Sequence, residues 1–152
     1  MIPIYIGIDP GKTGGIALIC DGYEEVYPAP VSGSDYLEAE MRMRIPTGNV
    51  RAAIEKQQSM PKQGVSSTFK TGEGYGLWRG ILVGLGVPYE IVTPQTWRKA
   101  MNLPAGSDKA ASVVLAQRLF PSLSDKLVGP KGGIRDGLAE ALLIAEYRRR
   151  IG

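Results

Sequence analysis

The stretch Ile4-Tyr5-Ile6-Gly7-Ile8-Asp9-Pro10-Gly11-Lys12-Thr13-Gly14-Gly15-Ile16-Ala17-Leu18-Ile19 constrains the fold of this chain more than any other. An apolar run ends in a carboxylate, a Gly/Pro turn follows, and a second apolar run begins at once. The pattern predicts a strand, a tight turn and an antiparallel partner strand, with Asp9 at the C-terminal lip of the first. Ile4, Tyr5, Ile6 and Ile8 leave little polar alternation, as expected of a strand covered on both faces in the middle of a sheet. An acid at the end of such a strand suits a metal or phosphate ligand. Asp-Pro-Gly is also ordinary turn chemistry, and this stretch alone leaves both readings open.

What the chain lacks narrows its chemistry. It has 152 residues, the size of one domain (1–152), with no histidine and one cysteine, Cys20. Ser-His-Asp and Cys-His nucleophile pairs and histidine-ligated zinc are therefore excluded within this chain. Any acid–base or metal chemistry rests mainly on carboxylates, which favour hard cations such as Mg²⁺. A lone thiol forms no internal disulfide and fits a reducing cytosol. The sequence has no apolar run of about 18 residues, the length of a membrane span. It turns strand-like at Pro3, which leaves no room for a signal peptide. A cytoplasmic protein without a membrane partner is expected.

The net charge of +3 is unevenly spread. Residues 1–50 carry three basic and seven acidic side chains, and residues 51–152 carry fifteen and eight. Such a split suggests a basic face able to meet a polyanion.

Further along, residues 24–28 read as an edge strand stopped by Pro28 and Pro30. A short helix is expected from Ser34 or Asp35 through Met43, ended by Pro46. Val50 to Glu55 reads as a strand, and the crossover before it is long enough to set it parallel to the first. Two parallel strands that both end in acids, Asp9 and Glu55, bring those acids to one sheet edge, where open α/β sheets build their sites. Residues 56–73 read as a polar loop with Lys56, Lys62 and Lys70 as phosphate donors. The isolated Phe69 could stack on or wedge between bases, or tuck inward.

A helix is expected from Thr71 to Gly86, with Leu77, Ile81, Leu82 and Leu85 as its apolar positions. Gly72, Gly76, Gly80 and Gly84 recur every fourth residue and mark close packing, on the chain's own sheet or on a second subunit. Val87 to Val92 reads as a fifth strand. Pro94 opens a short helix over 95–101, in which Trp97 points inward and Arg98 and Lys99 do not. Another helix starts at Ser107-Asp108-Lys109 and runs to Leu119, with Ala111, Val114, Leu115, Arg118 and Leu119 in mixed periodicity. After a glycine-rich basic loop containing Lys131 and Arg135, the last helix buries Leu138, Ala141, Leu142 and Ala145. Asp136 and Glu140 share a face near its N-terminus. Acids there also suit the helix dipole and need no further role.

Asp9, Glu55, Asp136 and Glu140 make one constellation if the last helix docks beside the two strand ends. Four converging carboxylates repel one another and imply bound cations. A pair of Mg²⁺ ions in such a cluster would suit in-line hydrolysis of a phosphodiester without histidine.

The ordered set Gly7-Ile8-Asp9-Pro10-Gly11, Ala53-Ile54-Glu55, Gly72-Glu73-Gly74-Tyr75-Gly76, Thr93-Pro94-Gln95-Thr96-Trp97, Asp108-Lys109-Ala110 and Asp136-Gly137-Leu138-Ala139-Glu140-Ala141-Leu142 resembles the RuvC-like Holliday junction resolvases of the RNase H-like superfamily. The match covers nearly the whole chain. The resemblance implies an α/β, RNase H-like fold with a five-stranded mixed sheet flanked by helices. It implies a homodimer, through the Gly72–Gly84 helix, that nicks two strands of a four-way DNA junction symmetrically with Mg²⁺, two per site, or Mn²⁺, in DNA recombination and repair. It carries a catalytic and metal-binding role to Asp9, Glu55, Asp136 and Glu140, a place near the scissile phosphate to Lys109, and a base wedge to Phe69. Lys12, Lys56, Lys62, Lys70, Lys131 and Arg135 become the expected DNA contacts. In familiar bacterial members the last helix carries two aspartates three apart; here the spacing is four and the second acid is Glu140. The alternative substrate within the superfamily is other branched DNA, or RNA-containing nucleic acid.

Overall fold

The computed structural model describes residues 2–29 and 49–152. The helix expected from Ser34 or Asp35 to Met43 lies outside the described residues. The strands are β1 (Ile4–Asp9), β2 (Gly15–Cys20), β3 (Tyr23–Pro28), β4 (Val50–Glu55) and β5 (Tyr89–Val92). The helices are α1 (Val65–Gly84), α2 (Pro94–Ala100), α3 (Lys109–Leu119) and α4 (Asp136–Ile151), and a 3₁₀ segment covers Pro121–Leu127. The strands form one sheet in the order β3-β2-β1-β4-β5. β1–β2 and β2–β3 pair antiparallel, whereas β1–β4 and β4–β5 pair parallel. This is the five-stranded mixed sheet that the motifs imply.

The unbroken apolar run of β1 follows from its central place, because helices cover both faces of the sheet. Ile6, Ile8, Ile16, Leu18 and Ile54 point to one side and close over Trp78 and Leu82 of α1. Ala17, Ile19, Ala53 and Val92 point to the other, against α2, α3 and α4. Side chains alternate along a strand. Gly7 therefore faces α4, and the alternation carries Asp9 and Glu55 to that same side.

α4 lies almost backbone to backbone on the sheet. A Cβ on Gly7 would collide with the Ala141 carbonyl and the Ala145 amide, and one on Gly137 with the Thr13 carbonyl. A Cβ on Gly15 would come within 2.9 Å of the Leu138 side chain. Glycine at these positions sets how closely the acidic end of α4 approaches the lip of β1. The buried surface of α4 is wider than the expected stripe. Ala139, Leu143 and Ile144 are buried as well as Leu138, Ala141, Leu142 and Ala145, because α3 packs against α4 as well as the sheet.

One boundary is corrected, and the buried faces of two helices become clear. α1 starts at Val65 rather than Thr71, so the polar stretch 56–73 is a loop only through Gly64, and Phe69 lies on the helix. Among the described residues nothing lies within 4 Å of a Cβ built on Gly72, Gly76, Gly80 or Gly84. The glycine row therefore does not pack on the chain's own sheet; the face that does carries Trp78 and Leu82. In α3 the buried side chains are Ser112, Val113 and Ala116, while Val114 is 65% exposed. The other boundaries hold closely: Thr93 caps α2 through Thr96 N–H with Pro94 in the first turn, Asp108 caps α3 through Ala111 N–H, and β5 begins at Tyr89.

Candidate active site

The four acids predicted from sequence meet at the C-terminal edge of β1 and β4. Asp9 ends β1 and accepts a hydrogen bond from Gly11 N–H at 3.1 Å. Glu55 ends β4, one residue beyond the Ile8↔Ile54 pair. Asp136 and Glu140 come down from the first turns of α4. The Asp9 and Glu140 carboxyls are neighbours that influence one another's charge. Asp9 also feels the charges of Asp136 and Lys109, and Glu140 those of Asp9 and Glu55.

Burial and mutual repulsion raise the proton affinity of Asp9, Glu55 and Glu140. Burial raises the Asp9 carboxyl above its usual value, and the nearby Asp136 charge adds to it. Burial first, then the Asp9 charge, pushes Glu55 up to about 7. The same burial, with the charges of Asp9 and Glu55 behind it, pushes Glu140 up to about 8. Opposing groups offset part of this. Trp97 donates from Nε1 to Glu55 Oε2 at 2.7 Å, Arg98 Nη1 reaches Glu140 Oε1 at 3.2 Å, and Lys109 Nζ reaches Asp136 Oδ2 at 3.1 Å. The hydrogen bond with Asp136 in turn raises the Lys109 ammonium above its usual value. Lys109, named from the motif, thus stands at the site, with a side chain 71% exposed.

Arg98 is the residue that sequence reasoning missed. It was expected to point outward, yet its side chain is only 20% exposed. Its guanidinium bonds Glu140 and Ser112 Oγ through Nη1, and the Ser107 carbonyl and hydroxyl through Nη2. It also lies 5.3 Å from the Trp97 ring centroid. Neighbouring residues of one short helix therefore grip two different acids, Trp97 holding Glu55 and Arg98 holding Glu140. The cue in sequence was faint: a cation beside a buried tryptophan, with Ser107 and Ser112 downstream.

Four carboxylates with neither imidazole nor thiolate beside them are a donor set for hard divalent cations. Their chemistry, and the raised proton affinities of Asp9, Glu55 and Glu140, fit such ions, which would relieve the repulsion among the four. Among the described residues no three of them are gathered as a ligand cage; Arg98 engages Glu140 and Lys109 engages Asp136.

The predicted DNA contacts are exposed: Lys12 in the β1–β2 turn, Lys56 next to Glu55, Lys62 in the loop before α1, Lys70 on α1, and Lys131 and Arg135 in the loop before α4. Phe69 is 72% exposed, so it does not tuck inward. Among the described residues no helix is long and apolar enough to cross a membrane.

No protein-family model matches the chain. In sequence it is 30% identical over 94 residues to the chloroplastic Holliday junction resolvase MOC1 of Chlamydomonas reinhardtii. That match covers 62% of this chain but spans only 10% of the length of the relative. In structure it is similar to Thermus thermophilus RuvC, with a TM-score of 0.62 and 20% identity, covering 100% of this chain and 97% of the other. It is also similar to T. thermophilus RuvC in complex with a Holliday junction substrate, with a TM-score of 0.59 at the same identity and coverage. From β1 to α4, the chain has the fold of RuvC, the RNase H-like arrangement that its ordered motifs imply.

Proposed function

We propose that this chain is a structure-selective endonuclease that resolves four-way DNA junctions with divalent metal. The observation that carries the reading is the meeting of Asp9, Glu55, Asp136 and Glu140 at one sheet edge in a chain without histidine. The likeness in fold to a RuvC bound to a Holliday junction, and in sequence to a Holliday junction resolvase, supports the substrate class.

Asp9, Glu55, Asp136 and Glu140 would hold two Mg²⁺ ions, with Mn²⁺ as a substitute. When bound, such ions supply Lewis acidity to the attacking water and to the leaving oxygen of an in-line displacement. The chain's own groups orient the rest. Trp97 and Arg98 fix the rotamers of Glu55 and Glu140. Lys109, anchored on Asp136 yet exposed, is within reach of a phosphate oxygen at the same edge. Lys12, Lys56, Lys62, Lys70, Lys131 and Arg135 suit the flanking backbone phosphates, and Phe69 suits insertion at the branch point. Paired symmetric nicks require two sites, which a homodimer through the open glycine face of α1 would supply.

The test compares synthetic four-way junctions, flaps, forks, linear duplex and RNA–DNA hybrid with Mg²⁺ or Mn²⁺. Four-way junctions should be cut fastest, by paired nicks. Asp9→Asn should abolish cutting while junction binding stays within a few-fold of wild type. Cutting at the wild-type rate by that variant would remove the site assignment. A preference for hybrid or linear duplex would instead identify an RNase H-like nuclease of different substrate.

A further inference from the structure

A cleft of about 660 Å³ opens beside α2, on the chain segment that also grips the carboxylates. Pro94, Gln95 and Lys99 form one wall, and Asn102, Leu103 and Pro104 the other, with Arg98 common to the cleft and the acidic site. Its far wall is held in place. Met101 N–H donates to the Trp97 carbonyl, Asn102 N–H to Lys99 and Leu103 N–H to Arg98, so three successive amides tie the turn back onto α2. Asn102 itself sits at φ 57°, a left-handed conformation that asparagine tolerates better than most residues.

The lining has a definite chemistry. Gln95 and Asn102 are exposed amides, each both donor and acceptor. Lys99 and Arg98 are cations, and among the described residues no carboxylate lines the cleft. Pro94, Leu103 and Pro104 supply apolar surface. Side-chain amides match the donor and acceptor edges of bases, cations match their phosphates, and apolar walls suit the faces of unstacked bases. The volume falls within the roughly 300–1,000 Å³ common to small-ligand pockets.

We propose that the cleft between α2 and residues 102–106 is a nucleotide subsite that seats an unpaired nucleotide flanking the scissile phosphate and reads its base through Gln95 and Asn102. The inference rests on the nuclease reading above and adds to it a base preference beside the cut. Because Arg98 belongs to both sites, a nucleotide seated there touches the same guanidinium that holds Glu140. The correct base thereby favours the arrangement in which that acid is in place.

The experiment uses four-way junctions that differ only in the bases next to the cut. Wild type should distinguish its best from its worst base by about tenfold in cutting rate, the discrimination expected of an amide paired to a base edge. Gln95→Ala combined with Asn102→Gly, which keeps the left-handed turn accessible, should reduce that ratio to below about threefold. A wild-type enzyme that cuts junctions without base preference, or a double variant that keeps the full ratio, overturns the subsite and leaves the nuclease reading intact. Failure to cut any junction removes both. A second measurement is independent of turnover: 4-thiothymidine at the flanking position, irradiated on the Asp9→Asn protein, should crosslink within residues 94–106. Crosslinking elsewhere overturns the proposal.

Discussion

Raising the pH of the metal-free protein from about 5 to 8 should weaken its fold, contrary to the usual behaviour of paired acids. Glu55 carries the clearest part of the effect. Burial, followed by the charge of Asp9, moves its carboxyl from 4.5 to about 7. Between those values the folded chain keeps a proton that the unfolded chain has released. Stability from this group is therefore fully present below about pH 4.5 and is lost as pH rises through about 7. At about 1.4 kcal/mol for each unit, Glu55 alone accounts for a loss on the order of 3 kcal/mol. Glu140, pushed up to about 8, acts with the same sign and extends the window upward. Urea titrations at pH 5, 6, 7 and 8 in the presence of a chelator read this directly. With the slopes common to small proteins, the midpoint should fall by roughly 1–2 M across the series. Glu55→Gln should flatten much of the fall, and Mg²⁺ added at pH 8 should restore the midpoint by binding only the folded site. A midpoint that stays level or rises from pH 5 to 8 in chelator would refute the reasoning.

Other substitutions test the frame. Gly7→Ala drives a methyl group into the α4 backbone and should destabilise the chain by about 3 kcal/mol or more, read as a fall in the urea midpoint; a neutral result would mean that the close contact is absent. Trp97→Phe keeps an aromatic side chain but removes the indole donor that favours the ionised form of Glu55, a hydrogen bond worth about 1.5–3 kcal/mol when that group is charged. The pH–rate profile of junction cleavage should then move to higher pH, and an unmoved profile would dissociate Trp97 from the acid. Gly76→Ala and Gly80→Ala meet nothing on the exposed side of α1 and should each stabilise the isolated chain by about 1 kcal/mol. If that face joins two copies, the same methyl groups should weaken self-association in sedimentation experiments, and unchanged association would place the interface elsewhere.

Much of this architecture was legible because sequence pattern and tertiary role coincide. β1 and β4 each announce themselves by an apolar run closed by an acid, and the parallel crossover puts those acids on one edge. The acids of α4 were legible from their spacing at the head of a strongly apolar helix. Elsewhere the pattern was too thin. α1 buries only Trp78 and Leu82, so its first turns, rich in serine, threonine and glycine, carry no apolar period and resemble a loop. The place of Arg98 could not be read locally, because Ser107, Ser112 and Glu140 lie 9, 14 and 42 residues away. A guanidinium that satisfies so many distant acceptors is a product of the tertiary fold. The mixed periodicity of α3 has a related reason: Ser112 takes an inward position and serves that guanidinium.

The seam between Gly7, Gly15 and Gly137 has a consequence for how this protein can change over time. With main chain resting on main chain, the depth of α4 is set by atoms common to every amino acid, so side-chain turnover elsewhere leaves it untouched. Substitution can therefore rework the acids and their cationic holders, while the scaffold beneath them tolerates almost no novelty.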